Sequence, residues 1–96
     1  MFDIKINEND EIQLTGRFDA SQSEKAKKIF NEINSSYIVN FSDLDYISSA
    51  GLSVLLMTQK RLNDIGHQLK LININNHIRD IFRYAGFDMI FEITPQ

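Results

Sequence analysis

Asp43-Leu44-Asp45-Tyr46-Ile47-Ser48-Ser49-Ala50-Gly51-Leu52 marks a change of period in the chain. An apolar, β-branched segment precedes it and a long amphipathic segment follows, so small polar residues stand between a strand and a helix. The reading places a loop over Asp43 to Ser49 and a helix from about Ala50 to Ile65. The first N–H groups of a helix lack internal acceptors, and Ser49 is positioned to cap them. The helix dipole is positive at that end, so an added anion is favoured there too. A phosphate on Ser49 would alter the surface without opposing the fold, with Asp43 and Asp45 as the nearby like charges. The stretch reads as a switch.

On the helix that follows, Leu52, Leu55, Leu56, Gln59, Leu62 and Ile65 trace the inward side, and Ser53, Met57, Lys60 and Asp64 the outward one. Met57 is thus an apolar residue on an outer face. Singly exposed apolar residues are common, and the functional reading is an adaptable contact for a partner protein. Upstream, Tyr37-Ile38-Val39-Asn40-Phe41 is nearly continuous apolar, which predicts a strand covered on both faces. Downstream, Gly66 suits a helix C-cap and Leu69 to Ile74 reads as another strand, so strand, helix and strand form a parallel crossover. Asn75 or Asn76 caps a third helix with Ile78, Ile81, Phe82 and Ala85 on one face, and Gly86 closes it. Phe87, Ile90, Phe91 and Ile93 then pack back, with a short edge strand before Pro95.

At the other end, Phe2, Ile4 and Ile6 alternate with polar residues, as do Ile12 and Leu14, and Asn7-Glu8-Asn9-Asp10 joins them in a predicted hairpin. Asp19 to Ile33 has helical period, with Ala26, Ile29, Phe30 and Ile33 sharing a face. Ser21-Gln22-Ser23-Glu24 matches a capping box, while Asp19 offers a cap one turn earlier. The sum is one α/β domain over residues 1–96: a four- or five-stranded mixed sheet with helices mainly on one face.

Ninety-six residues suffice for one modest core, and 43% hydrophobic with 24% charged residues is ordinary for a soluble domain. A net charge of −3 argues against nucleic acid as the main ligand. Lys25, Lys27 and Lys28 cluster, but Glu24 and Glu32 flank them, which reads as a solvated helix face. Without cysteine there is no disulfide and no thiolate metal site. No apolar run is long enough to cross a bilayer and the N-terminus has no signal-peptide pattern, so a cytoplasmic protein without direct membrane insertion is expected. Asp43 and Asp45 lack the further oxygen ligands that a hard cation needs, so no metal is expected. Ser49 as a nucleophile, with His67 or His77 as base, would make a small serine hydrolase. That chemistry calls for G-x-S-x-G, whereas this chain has S-S-A-G, and an enzyme is not the expected function.

Two segments resemble a known family. Leu14-Thr15-Gly16-Arg17-Phe18-Asp19 is similar to the strand-ending L-x-G-x-[LF]-D of STAS domains of the anti-sigma-factor-antagonist type. Tyr46-Ile47-Ser48-Ser49-Ala50-Gly51-Leu52 is similar to their F-[IM]-D-S-[SAT]-G-L, and the order of elements downstream also fits. The resemblance implies a phosphorylation-switched binding module with no cofactor. In that family the serine matching Ser49 is phosphorylated by an anti-sigma factor that is also a serine kinase, and a metal-dependent, PP2C-type serine phosphatase reverses the reaction. The unmodified antagonist sequesters the anti-sigma factor and frees the sigma factor. Asp19 matches the family's aspartate and is expected on the same partner-binding surface as Ser49, Ser53 and Met57. Ser48 stands where the family usually has aspartate, which leaves it as a competing acceptor, and Asn40 also replaces a usual aspartate. The alternative is a STAS subunit never modified at Ser49, with a structural role in a lipid-transport or signalling assembly.

Overall fold

The structure is a computed structural model describing residues 2–95; Met1 and Gln96, at the ends of the expected domain, lie outside the described residues. The strands are β1 (Phe2–Ile6), β2 (Ile12–Phe18), β3 (Tyr37–Ile47), β4 (Leu69–Ile74) and β5 (Glu92–Pro95), and the helices are α1 (Ser23–Phe30), α2 (Ser49–Asp64) and α3 (Asn76–Tyr84). Short 3-10 helices at Ala20–Gln22 and Phe87–Met89 precede α1 and follow α3. The strands form one five-stranded sheet in the order β1-β2-β3-β4-β5, antiparallel between β1 and β2 and parallel thereafter. Each parallel step moves the same way across the sheet. Right-handed crossovers therefore carry the three helices to one face.

That face holds the core. Phe2, Ile4, Ile12, Leu14, Val39, Phe41, Leu69 and Leu71 point into it from the strands and meet Ala26, Phe30, Leu55, Leu62, Ile78 and Phe82 from the helices. Phe82 of α3 stands edge-on to Phe41 at 6.0 Å between ring centres and also meets Phe87 and Phe91. The hairpin turns through Asn7, whose side-chain oxygen accepts from the Asn9 and Glu11 amides, and Asp10 adopts φ 62°, a conformation aspartate tolerates.

Among the described residues the opposite face carries no helix, which corrects the expectation that β3 is covered on both sides: Ile38 and Asn40 are only half-buried. A ladder of polar side chains crosses it instead. Asn40 donates to Glu11, accepts from Asn73 Nδ2, and lies beside Gln13, which donates to Ser42 and Asp43.

Several boundaries also differ. β3 runs to Ile47, so most of the predicted Asp43–Ser49 loop is strand. Gln13↔Asn40 is followed by Thr15↔Asp43, and Gly16↔Leu44 by Arg17↔Tyr46, so β3 carries an extra residue at each shift. Two bulges break the alternation that would have shown the strand. α1 ends at Phe30, although Ile33 is still buried. The capping-box reading fails because the N-cap of α1, Gln22, makes no side-chain capping bond; Asp19 caps the preceding 3-10 helix. On α2, Ile65 is 53% exposed, while Val54 and Thr58 are buried. Ala85 and Ile90 are exposed rather than packed.

Candidate functional site

The carboxyl ends of β2 and β3 lie side by side, with Phe18 paired to Ile47. The chain leaves β3 through Ser48, whose amide donates to the Phe18 carbonyl at 2.9 Å, so the start of α2 is tied to the residue before Asp19. Ser48 keeps an extended backbone (φ −89°, ψ 172°), and its Oγ accepts from the Gly51 amide at 3.3 Å. This is N-cap geometry, with the third helical amide satisfied by the serine before the helix. Ser48 therefore caps α2, in place of the cap expected from Ser49. Ser49 is the first helical residue and is exposed.

Gly51 allows this junction to close. A Cβ there would lie 2.9 Å from Ile47 Cγ1, 3.0 Å from the Phe18 carbonyl oxygen and 3.1 Å from Phe18 Cγ. Only a residue without a side chain fits.

Asp19 follows on the same rim. Its Oδ1 accepts from the Ser21 hydroxyl at 2.6 Å and from the Ser21 amide at 3.1 Å. The hydroxyl bond is the main cause holding its carboxyl below the ordinary value; burial opposes it, and the Ser21 amide and the Arg17 charge add to it. Arg17 itself lies over the Tyr46 ring, 4.3 Å from its centre, on the neighbouring strand.

From Ser49 the exposed face of α2 continues through Ser53 to Met57, which is 65% exposed. These positions recur every four residues and line one side of the helix. The structure thus joins Asp19 and the Ser48–Ser49 step through a backbone bond and sets Ser53 and Met57 on the helix leading away from them. Asp43 is not part of this rim. The extended β3 draws it back along the sheet, where it accepts from Gln13. From Asp43 to Ile47 is roughly 13 Å of strand, more than a Debye length of about 8 Å at physiological ionic strength.

His67 follows the far end of α2 and contacts Ser36 Oγ through Nδ1 at 3.3 Å, while His77 is an exposed residue at the start of α3. A helix of sixteen residues, about 24 Å long, separates His67 from Ser49. Among the described residues no three His, Cys, Asp or Glu side chains come together as metal ligands, and no helix is long and apolar enough to cross a membrane.

Beside Met57, between α1 and α2, lies a groove of about 310 Å³ lined by Lys27, Asn31, Val54, Met57, Thr58 and Arg61. The sequence places Lys27 on a solvated helix face, whereas in the structure it is half-buried beside this groove. Its lining comes from two helices separated by β3, so no local pattern announces it.

Comparison with known proteins agrees with this geometry. The STAS domain family matches residues 3–96. BtrV of Bordetella bronchiseptica, named as a candidate anti-sigma factor antagonist, is 39% identical over 57 residues, which are 59% of this chain and 49% of that protein. The chain thus matches about half the length of that relative. The anti-sigma-B factor antagonist of Bacillus subtilis is 27% identical over 98% of this chain and 90% of its own length. Among solved structures, a candidate anti-sigma factor antagonist of Thermotoga maritima superposes with a TM-score of 0.80 at 22% identity, covering 100% of this chain and 87% of that one. The unphosphorylated form of the anti-sigma factor antagonist SpoIIAA gives 0.74 at 19% identity, covering 97% and 87%. With the five-stranded mixed sheet, the glycine-closed helix start and a match over nearly its whole length, the chain belongs to the STAS domain family, and its curated relatives bear the name of anti-sigma factor antagonists.

Proposed function

We propose that this chain is an anti-sigma factor antagonist that binds an anti-sigma factor with serine-kinase activity and is released when that kinase phosphorylates Ser49. A PP2C-type serine phosphatase restores the binding form. The observation that carries this reading is the division of labour at the start of α2: Ser48 is engaged as the cap, while Ser49 is exposed at the first helical position. This favours Ser49 over Ser48 as the acceptor, because Ser48 is half-buried with its hydroxyl engaged at the Gly51 amide while Ser49 lies open to a kinase. Support also comes from the names of the relatives, and from SpoIIAA, solved in a phosphorylated as well as an unphosphorylated form. The binding face comprises Asp19, Ser49, Ser53 and Met57.

A phosphate adds about −1.5 to −2 charges at pH 7. In the free protein the helix dipole offsets this by roughly 0.3–1 kcal/mol. In a complex the partner covering Ser49 must strip water from the phosphate or give up its own contacts. A loss of about 2.7 kcal/mol corresponds to a hundred-fold weaker complex. Intact-mass spectra of the chain from its native cell should show a species one phosphate heavier. Calorimetric titration of the purified anti-sigma factor should give tight binding for the unmodified chain and for Ser49→Ala, and at least a hundred-fold weaker binding for the phosphorylated chain. Equal affinity of phosphorylated and unmodified protein would refute the switch.

A further inference from the structure

The groove between α1 and α2 has room for one or two side chains; about 310 Å³ is at the low end for small-molecule sites. Its interior offers little to fix a polar ligand, because the buried Thr58 hydroxyl is spent on the Val54 carbonyl at 2.8 Å. Val54 and Met57 supply apolar surface. The charged lining residues are both cations, Lys27 and Arg61, in a chain of net charge −3. Arg61 is held in place by neutral oxygens, the Phe30 carbonyl at 2.7 Å and Asn34 Oδ1 at 3.3 Å, and forms no ion pair among the described residues. Lys27 meets Glu24 at 3.5 Å, an exposed pair of the kind that contributes little. Met57, two turns along α2 from Ser49, joins the groove to the rim.

We infer that this groove receives an acidic amphipathic helix of the anti-sigma factor, an apolar side chain entering over Val54 and Met57 and carboxylates meeting Lys27 and Arg61. The inference rests on the proposed function, and it adds a second point of attachment distant from Ser49. A helix seated between two others buries its apolar stripe against both, and charges at the rim set its orientation and speed its approach. The site selects partners by the acidic flank of that helix.

The test uses the purified anti-sigma factor of the Ser49 titration, with wild-type chain, Lys27→Glu and Met57→Ala, at low and moderate salt. Each variant should bind about ten-fold more weakly, and Lys27→Glu should flatten the salt dependence. Arg61 also braces Phe30, so its replacement risks the fold. A second measurement therefore follows the Met57 methyl resonance of the wild-type chain, which should shift as partner is added. Wild-type affinity in both variants with an unmoved methyl signal would overturn the groove inference and remove Met57 from the binding face, and release by Ser49 phosphate would then leave the Ser49 switch standing. Weakened groove variants without any effect of Ser49 phosphate would do the reverse. A Met57 signal that shifts on concentrating the chain alone would identify a second copy as the occupant and overturn the partner helix.

Discussion

Gly51 shows how strongly one residue depends on its neighbours. Inside a helix, glycine is ordinarily about 1 kcal/mol worse than alanine, so Gly51→Ala would look stabilising from α2 alone. The added methyl would meet Phe18 backbone, itself held by the Ser48 amide, and the Ile47 side chain. Overpacking of this kind costs about 1–3 kcal/mol, so the urea midpoint of Gly51→Ala should fall. A midpoint at or above wild type would show that α2 can slide away from β2. Asp19 makes a pH-dependent contribution. Its folded carboxyl titrates below the ordinary value of 3.8, chiefly because of the Ser21 hydroxyl bond. The unfolded chain therefore binds the proton more readily. The stabilisation is present above the unfolded value and lost as pH falls through the folded one. Asp19→Ala should unfold earlier in urea than wild type at neutral pH, with the gap closing in acid below that range. A gap independent of pH would assign the loss to something other than the carboxylate.

At the scale of the element, α2 is delimited by two different devices. At its end, Gly66 adopts φ 82°, its amide bonds to Asn63 and the His67 amide to Leu62, a Schellman closure open to few residues besides glycine. At its start, Ser48 caps and Ser49 is exposed. The two serines should therefore separate in stability measurements. Ser48→Ala should cost about 1 kcal/mol, while Ser49→Ala should stay within about 0.5 kcal/mol of wild type. Ser48→Asp should keep the cap and gain from the dipole, by roughly 0.3–1 kcal/mol. Denaturation showing a larger loss for Ser49→Ala than for Ser48→Ala would return the cap to Ser49.

For the whole molecule, Gln59 links elements far apart in sequence. It is 2% exposed; its Oε1 accepts from the Leu69 amide at 2.7 Å and its Nε2 donates to the Ile90 carbonyl at 3.1 Å. The middle of α2 is thereby joined to the first residue of β4 and to the segment that leads into β5. Gln59→Leu keeps the volume but strands both backbone groups, at about 1–3 kcal/mol for each one left buried. Thermal unfolding should begin earlier, and amide exchange at Leu69 should accelerate more than at Leu14. Unchanged exchange at Leu69 would mean that water replaces the glutamine.

The sequence by itself determined the order of elements, the hairpin, the parallel crossovers and, to within a residue, the start of α2, because these rest on local period and on capping chemistry within a few residues. The two family-like segments, Leu14 to Asp19 and Tyr46 to Leu52, made the family legible for the same reason. Only the tertiary structure decided how far β3 runs. Its pairing with β2 carries the ladder past two bulges, where side-chain alternation no longer signals a strand. That extension moved the cap from Ser49 to Ser48, since the Ser48 amide is still bonded to Phe18 of β2 and the helix begins at the next residue. It also drew Asp43 back along the sheet to Gln13. The groove beside Met57 needed α1 and α2 to meet in space, and residues brought together from separate helices leave no periodic trace in the chain.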